Sequence, residues 1–257
     1  MDRLATQTGL ALGLLVLASC ASATPPSRLA SYIGQEAVSG QIVAEVPALR
    51  PIRTALVVIS DTAAPDAAPA LPEEAVRRVA ETLQAELSRI TPFAIETIIP
   101  NEGITPGGDP AQLAELGKRH GVDYLTAVVL SSTEVEYPMT IFLGWVSHSQ
   151  PGFRCDNWSL VEAAVVDVKA GKTLVQAEGR GWATLDRPAA PGINQWYPVI
   201  WKRPLEPNWR WWPPSYEAAP TTLRVIAMNE AVKRVVSNLQ RAWIERLEAE
   251  RAASKQG

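Results

Sequence analysis

Within nine positions the chain carries a histidine, a cysteine and an aspartate, His148, Cys155 and Asp156, the residue types of a nucleophile, its base and an orienting acid. Such members act only when they converge with an oxyanion donor, and an acid beside a thiol raises its pKa and suppresses the thiolate. A thiol hydrolase is therefore not expected. His120 precedes Gly121 and reads as a helix-end residue, whose charged form suits the carbonyl terminus. Pro106-Gly107-Gly108 before Asp109 lacks the Gly-Lys-Ser/Thr of a phosphate loop and places an acid where phosphate would sit, so it reads as a turn. Glu73-Glu74 suits a helix start, and Glu134 with Glu136 points one way on a strand by its period of two, as a solvated face. No acid pair with an aromatic platform nearby argues for glycosidase chemistry. The cysteines and histidines, Cys20, His120, His148 and Cys155, match no zinc spacing, so no metal and no cofactor is expected. With 24 Lys+Arg against 27 Asp+Glu and a formal charge of -3, the chain has no basic surplus for a nucleic-acid partner. The chain reads as a non-enzyme.

The cysteine near the start has a different chemistry. Arg3 is followed by the uncharged run Leu10 to Leu17 and then Ala18-Ser19-Cys20, the pattern of a secretory signal with a short apolar core. The run is shorter than the roughly 20 residues that cross a bilayer. Leu17-Ala18-Ser19 before Cys20 resembles a bacterial lipobox. That resemblance implies a signal peptide over 1–19, removed to leave Cys20 as the first residue, diacylglyceryl on its sulfur and a further acyl chain such as palmitate on its amine. More than one acyl chain anchors stably where one is marginal. Ala21 stands where inner-membrane retention calls for Asp, so the resemblance places the chain on the periplasmic side of the outer membrane. With Cys20 lipidated, Cys155 has no intramolecular partner. Residues 20–50, rich in Ala, Ser and Pro, read as the lipidated cysteine and a tether with a short strand at 40–44.

A single folded domain is expected over 51–251. Arg53 to Ile59 is a continuous apolar run, as in a strand buried on both faces. Val76, Val79, Ala80, Leu83, Leu87 and Ile90 form one helical stripe behind the acids of 73–74. Phe93 to Ile99 alternates as a second strand. Asp109-Pro110 predicts a capped helix with proline at its first position, closed by a left-handed Gly121. A strand follows over 122–137. A loop contains Trp145 and Gly152 and runs to Cys155, and a hairpin joins 158–168 to 172–184 across Lys169-Ala170-Gly171. A helix from Thr221 carries the stripe Met228, Val232, Val235, Leu239, Trp243. The order strand, helix, strand, helix, three strands, helix gives an α/β fold, a mixed sheet with helices packed on it.

Pro106-Gly107-Gly108, Leu113-Ala114-Glu115-Leu116, Gly121-Val122-Asp123 and the stretch Trp158 to Val168 with Lys172-Thr173-Leu174 resemble the rhombotarget lipoprotein family over about 53–185 and the closing helix. More distantly they are similar to the periplasmic lipoprotein domains of the curli-secretion-channel, penicillin-binding-protein-activator and amino-terminal TolB type. The resemblance implies an anticodon-binding-like domain and a binding or assembly role in the cell envelope, or else an oligomeric structural component of a secretion or polymer-export apparatus. The insertion 186–220 departs from that pattern. Trp196, Tyr197, Trp201, Trp209, Trp211, Trp212 and Tyr216 are seven of the chain's 17 aromatics, and flat indole faces suit sugars, proline-rich peptides and membrane interfaces alike. These residues are the expected partner-binding surface, for an envelope protein or a polysaccharide, unless their rings fold back to plug the sheet.

Overall fold

A computed structural model of the chain describes residues 24–34, 52–90, 93–107, 109, 111–142, 149–189, 199–203 and 210–254. Cys20, Trp145, His148, Trp196, Tyr197, Trp209 and the strand expected at 40–44 lie outside them. The described elements are α1 (Ala30–Ile33), β1 (Ile52–Ser60), α2 (Glu73–Ile90), β2 (Phe93–Ile99), α3 (Gln112–Arg119), β3 (Tyr124–Phe142), β4 (Ser149–Asp167), β5 (Lys172–Pro188), β6 (Val199–Arg203), β7 (Arg210–Trp211) and α4 (Ala219–Ser254).

One mixed sheet runs in the order β2-β1-β3-β4-β5-β6-β7. β1 is parallel to both β2 and β3, and the remaining neighbours are antiparallel. Parallel neighbours need helical crossovers. α2 packs Val79, Leu83 and Leu87 on one face, and α3 packs Leu113 and Leu116 on the other. β1 therefore lies between two helical layers, and its apolar run is buried on both faces. The first of these faces also takes α4, whose stripe Met228, Val232, Val235, Leu239 and Trp243 is buried as its spacing requires. Trp243 meets Phe93 edge-on at 4.8 Å between ring centroids, tying α4 to β2.

The structure departs from the sequence reading at several places. Thr54 pairs Ile95 but Ala55 pairs Thr97, so Glu96 is an extra residue in β2. This bulge breaks the alternation and leaves Thr97 exposed. Asp109 does not cap α3: its Oδ1 accepts the Ala111 N–H at 2.8 Å in an Asx turn, and the helix starts at Gln112. Residues 138–142 and 149–155 of the expected loop before Cys155 are strand, because β3 and β4 continue together to the pair Phe142–Ser149. The insertion adds β6 and β7 to the sheet edge, and α4 starts at Ala219.

The last concerns the expected tether. Residues 25–33 lie on the α3 face of the sheet as a strap, with Pro25, Leu29, Tyr32 and Ile33 buried. Ser31 accepts the Gly107 N–H at 2.7 Å, so the Pro106-Gly107 turn, with φ of 73° at the glycine, holds the strap from above.

Two carboxylates hold the strap from below. Glu162, 3% exposed, accepts the Ser27 hydroxyl at 2.5 Å and the backbone N–H groups of Arg28 and Leu29 at 2.6 and 3.1 Å. Asp61 accepts the Tyr32 hydroxyl at 2.7 Å and Arg28 Nε at 3.0 Å. The outer edge of β5 is covered differently: Arg234, Asn238 and Arg246 of α4 donate to the carbonyls of Arg180, Glu178 and Leu174. An edge so covered is a poor template for adding a strand.

Candidate functional site

Cross-strand partners share a face, so the register sorts the far end of the sheet, beyond the strap, into two surfaces. On the helical face Glu136, Cys155, Leu185 and Ile200 stand in one row, and Glu134, Asn157 and Ala183 in the next. Cys155, Ala183, Leu185 and Ile200 are packed under Ala219, Leu223, Ile226 and Ala227 of α4. Glu134 lies at the rim of this cluster and accepts from Arg224 of α4 at 3.0 Å and from Asn157 at 3.3 Å. Glu136 accepts from Arg187 at 2.8 Å. The period of two read for 131–137 is present with its sides inverted: Glu134 faces a helix, while Val135 and Tyr137 face outward. The reason is that α4 supplies an arginine to the acid side.

Among the described residues, the surroundings of Cys155 are those of an unreactive thiol. Burial pushes its pKa up strongly, and Glu134, Glu136 and Asp156 add to the rise. The neighbouring Asp156 points to the opposite face, as consecutive strand residues do, and is bonded there by Tyr137 and Thr184. With the thiol buried and held protonated, alkylation by iodoacetamide at pH 8 should be at least 100-fold slower in the folded protein than in urea, read by mass spectrometry of Cys155. Equal rates would restore the thiol as a candidate nucleophile. Among the described residues no cluster of three or more His, Cys, Asp and Glu could hold a metal ion.

The outward surface carries the more informative arrangement. Its rows are Thr133–Trp158–Trp182–Arg203, Val135–Asp156–Thr184–Trp201 and Tyr137–Arg154–Asp186–Val199. Trp158 and Trp182 stack across β4 and β5 at 5.7 Å between centroids and 13° between planes. Between the aromatic positions lie two buried carboxylates, each with its oxygens engaged. Asp156 accepts from the Tyr137 hydroxyl at 2.9 Å and the Thr184 hydroxyl at 2.6 Å. Asp186 takes Arg154 in two-point contact at 2.6 and 2.8 Å, plus Trp201 Nε1 at 2.9 Å. The bidentate pair holds the Arg154 guanidinium above its ordinary pKa, against the opposing effect of burial. Burial and then the bond to Asp156 raise the Tyr137 phenol likewise. These bonds fix the Tyr137 and Trp201 rings beside the stacked pair. Val135, Tyr137 and Trp182 present 36–44% of their surface to solvent.

The aromatic insertion divides between these surfaces. Trp201 joins the outward platform through β6. Trp211 stands opposite Ile200, on the helical side, at the sheet edge, and Trp211, Trp212 and Tyr216 are 46–58% exposed. Sequence reasoning placed the aromatic surface in 186–220 and missed Tyr137, Trp158 and Trp182. The period of two within 131–137 and 158–184 was the available signal for their common face, but it does not say which face is left open.

No helix among the described residues is long and apolar enough to cross a membrane. No family model and no curated protein sequence matches the chain. Similar solved structures include a neuraminyllactose-binding hemagglutinin homologue from Helicobacter pylori, 10% identical over 80% of this chain and 91% of that one, with a TM-score of 0.38. A hypothetical protein from Chlamydia trachomatis is 13% identical over 76% and 98%, at 0.34. The PelC dodecamer from Paraburkholderia phytofirmans is 13% identical over 73% and 94%, at 0.26. Likenesses this slight carry no functional argument, so the fold rests on the sheet and helices described above: a mixed α/β domain.

Proposed function

We propose that this chain is a non-enzymatic envelope lipoprotein, a binding or assembly factor anchored through Cys20 at the periplasmic face of the outer membrane. Residues 1–19 are its signal peptide, and a single domain extends over 51–251 with the strap of residues 25–33 packed on it. The observation that supports a binding role best is the engagement of the polar groups that could do chemistry. Asp61, Asp156, Glu162 and Asp186 each hold structural hydrogen bonds, and the Cys155 thiol is buried and protonated, while large rings stand exposed at the surface. Exposed aromatic clusters of this kind mark recognition surfaces.

The partner, an envelope protein or a polysaccharide, binds at the β7 edge through Trp211, Trp212 and Tyr216; Trp196, Tyr197 and Trp209 of the same segment lie outside the described residues. Pull-down of the lipidated protein from solubilised envelopes should lose its partner in the Trp211→Ala/Trp212→Ala/Tyr216→Ala variant. The buried contacts of α4 are untouched, so its melting temperature should stay within about 2 °C of the parent, as for surface substitutions. Undiminished recovery of the partner would remove this edge from the binding surface.

A further inference from the structure

The strap and the outward aromatic platform lie on the same face of the sheet. Ser27 and Arg28 bond Glu162 of β4. Trp158 lies four residues earlier on that strand, about 14 Å away at the rise of an extended chain. Pro25 is already buried, so five Cα steps separate it from Cys20, a maximum reach of about 18 Å. An acyl chain on Cys20 would therefore leave the body beside the platform on a leash little longer than the platform's distance from the strap. The opposite face is occupied by α2 and α4.

The geometry points to the bilayer surface as the occupant of this platform: Tyr137, Trp158, Trp182, Trp201 and Val135 seat on the membrane to which the chain is anchored. The inference rests on the lipidation proposed above. Tryptophan and tyrosine partition to the headgroup level, where an apolar ring and a polar tip are both satisfied. The chemistry of the patch suits a zwitterionic surface. Asp186 is paired with Arg154 and Asp156 is held by two hydroxyls, so the patch brings buried, bonded carboxylates under the rings and the charge of Arg154 is neutralised within it. Seating this face leaves Trp211, whose row neighbour is Ile200 of the helical side, available to a partner.

The test uses the full-length protein, purified with its lipid and reconstituted into vesicles of phosphatidylethanolamine and phosphatidylcholine brominated near the headgroup. Bromine quenches tryptophan emission at short range. The parent should be quenched relative to vesicles without bromine. The Trp158→Phe/Trp182→Phe/Trp201→Phe variant should lose at least half of that quenching, and Trp211→Phe/Trp212→Phe should keep it. If the triple variant fails to fold by circular dichroism, Trp182→Phe alone carries the same reading, since this ring is the most open of the three. Equal quenching of parent and platform variant overturns the inference, as does no quenching of a protein whose Cys20 is shown by mass spectrometry to be acylated. A response of these rings to added maltohexaose in place of brominated lipid would assign the face to a glycan and also overturns it. An unacylated Cys20 brings down the lipoprotein proposal and this inference with it, so the two failures are told apart.

Discussion

Replacing Gly181 by valine lifts α4 from the sheet and costs at least about 3 kcal/mol, the upper part of the range for overpacking a core. Gly179 and Gly181 point to the same face of β5, and the helix backbone rests directly on them. A Cβ at 181 would stand 1.9 Å from the Ala227 carbonyl oxygen and 2.7 Å from the Ala231 nitrogen. At 179 it would meet Ala231 O at 2.1 Å and Val235 N at 2.2 Å. These are backbone atoms of a regular helix, which no rotamer change can move aside. The helix must shift as a body, loosening the contacts of Leu223, Ala227, Ala231 and Val235, all buried. In a domain of this size the loss corresponds to a melting temperature lower by roughly 6–12 °C in thermal circular dichroism. Gly103→Ala separates this cost from ordinary backbone strain. Its φ is 75° and nothing lies within 4 Å of the added Cβ, so it should cost about 1 kcal/mol. Equal destabilisation by the two substitutions would show that the close approach is unimportant.

These two glycines also mark a limit of what a sequence can show. A glycine inside a strand signals a bulge or a close approach, yet nothing local tells which, because the helix that needs Gly181 begins at residue 219. The parts legible from the chain alone were those set by local periodicity: the both-faced run of β1, the stripes of α2 and α4, the hairpin turn at Gly171 with its φ of 65°. Where composition masked periodicity the reading failed. β6 is Val199 to Arg203 between tryptophans and prolines, a stretch whose pattern looks like a loop and which is a strand only because β5 offers it an edge.

The platform was half legible. Its alternation could be read, and Glu136 is exposed as expected, but Glu134 on the same side is covered by Arg224 from the distant helix, while Val135 and Tyr137 are open on the other. The strap was not legible at all, since Ser27 to Leu29 are held by a carboxylate more than 130 positions away. A segment rich in Ala, Ser and Pro has the composition of a tether until such a partner is known.

Substituting Glu162 frees that strap. In Glu162→Ala the backbone N–H groups of Arg28 and Leu29 lose a charged acceptor in a buried site, and hydrogen bonds to charged groups contribute about 1.5–3 kcal/mol each. A net loss of about 3 kcal/mol raises the open fraction on the order of 100-fold. Tryptic cleavage after Arg28, which needs the strap open, should quicken by that factor when reclosing outpaces cutting. Glu162→Gln keeps one oxygen for the two N–H groups and a polar atom for Ser27, so its effect should be roughly tenfold. Cleavage is followed by mass spectrometry of the new terminus at Leu29, and unchanged rates in both variants would mean that the bonds to Glu162 do not hold the strap.

Asp61 sets the acid limit of the same latch. Burial opposes its ionisation, but the Ala63 N–H, the Tyr32 hydroxyl and Arg28 outweigh it and hold its carboxyl below the usual range. A depressed folded pKa contributes stability that is complete above the unfolded value, about 3.9, and is lost as pH falls through the folded one. The Asp61 contribution to strap closure should thus be constant from pH 7 to about 4 and decline below it. An acid-tolerant protease such as pepsin reads that decline as faster cutting of the strap relative to the body, and Asp61→Asn should flatten it while opening the strap already at pH 7. On the lipidation proposed for Cys20, removing either carboxylate would raise the fraction of molecules whose leash runs from Cys20 to β1 instead of to the strap, and with it the fraction released from the surface that would carry the anchor.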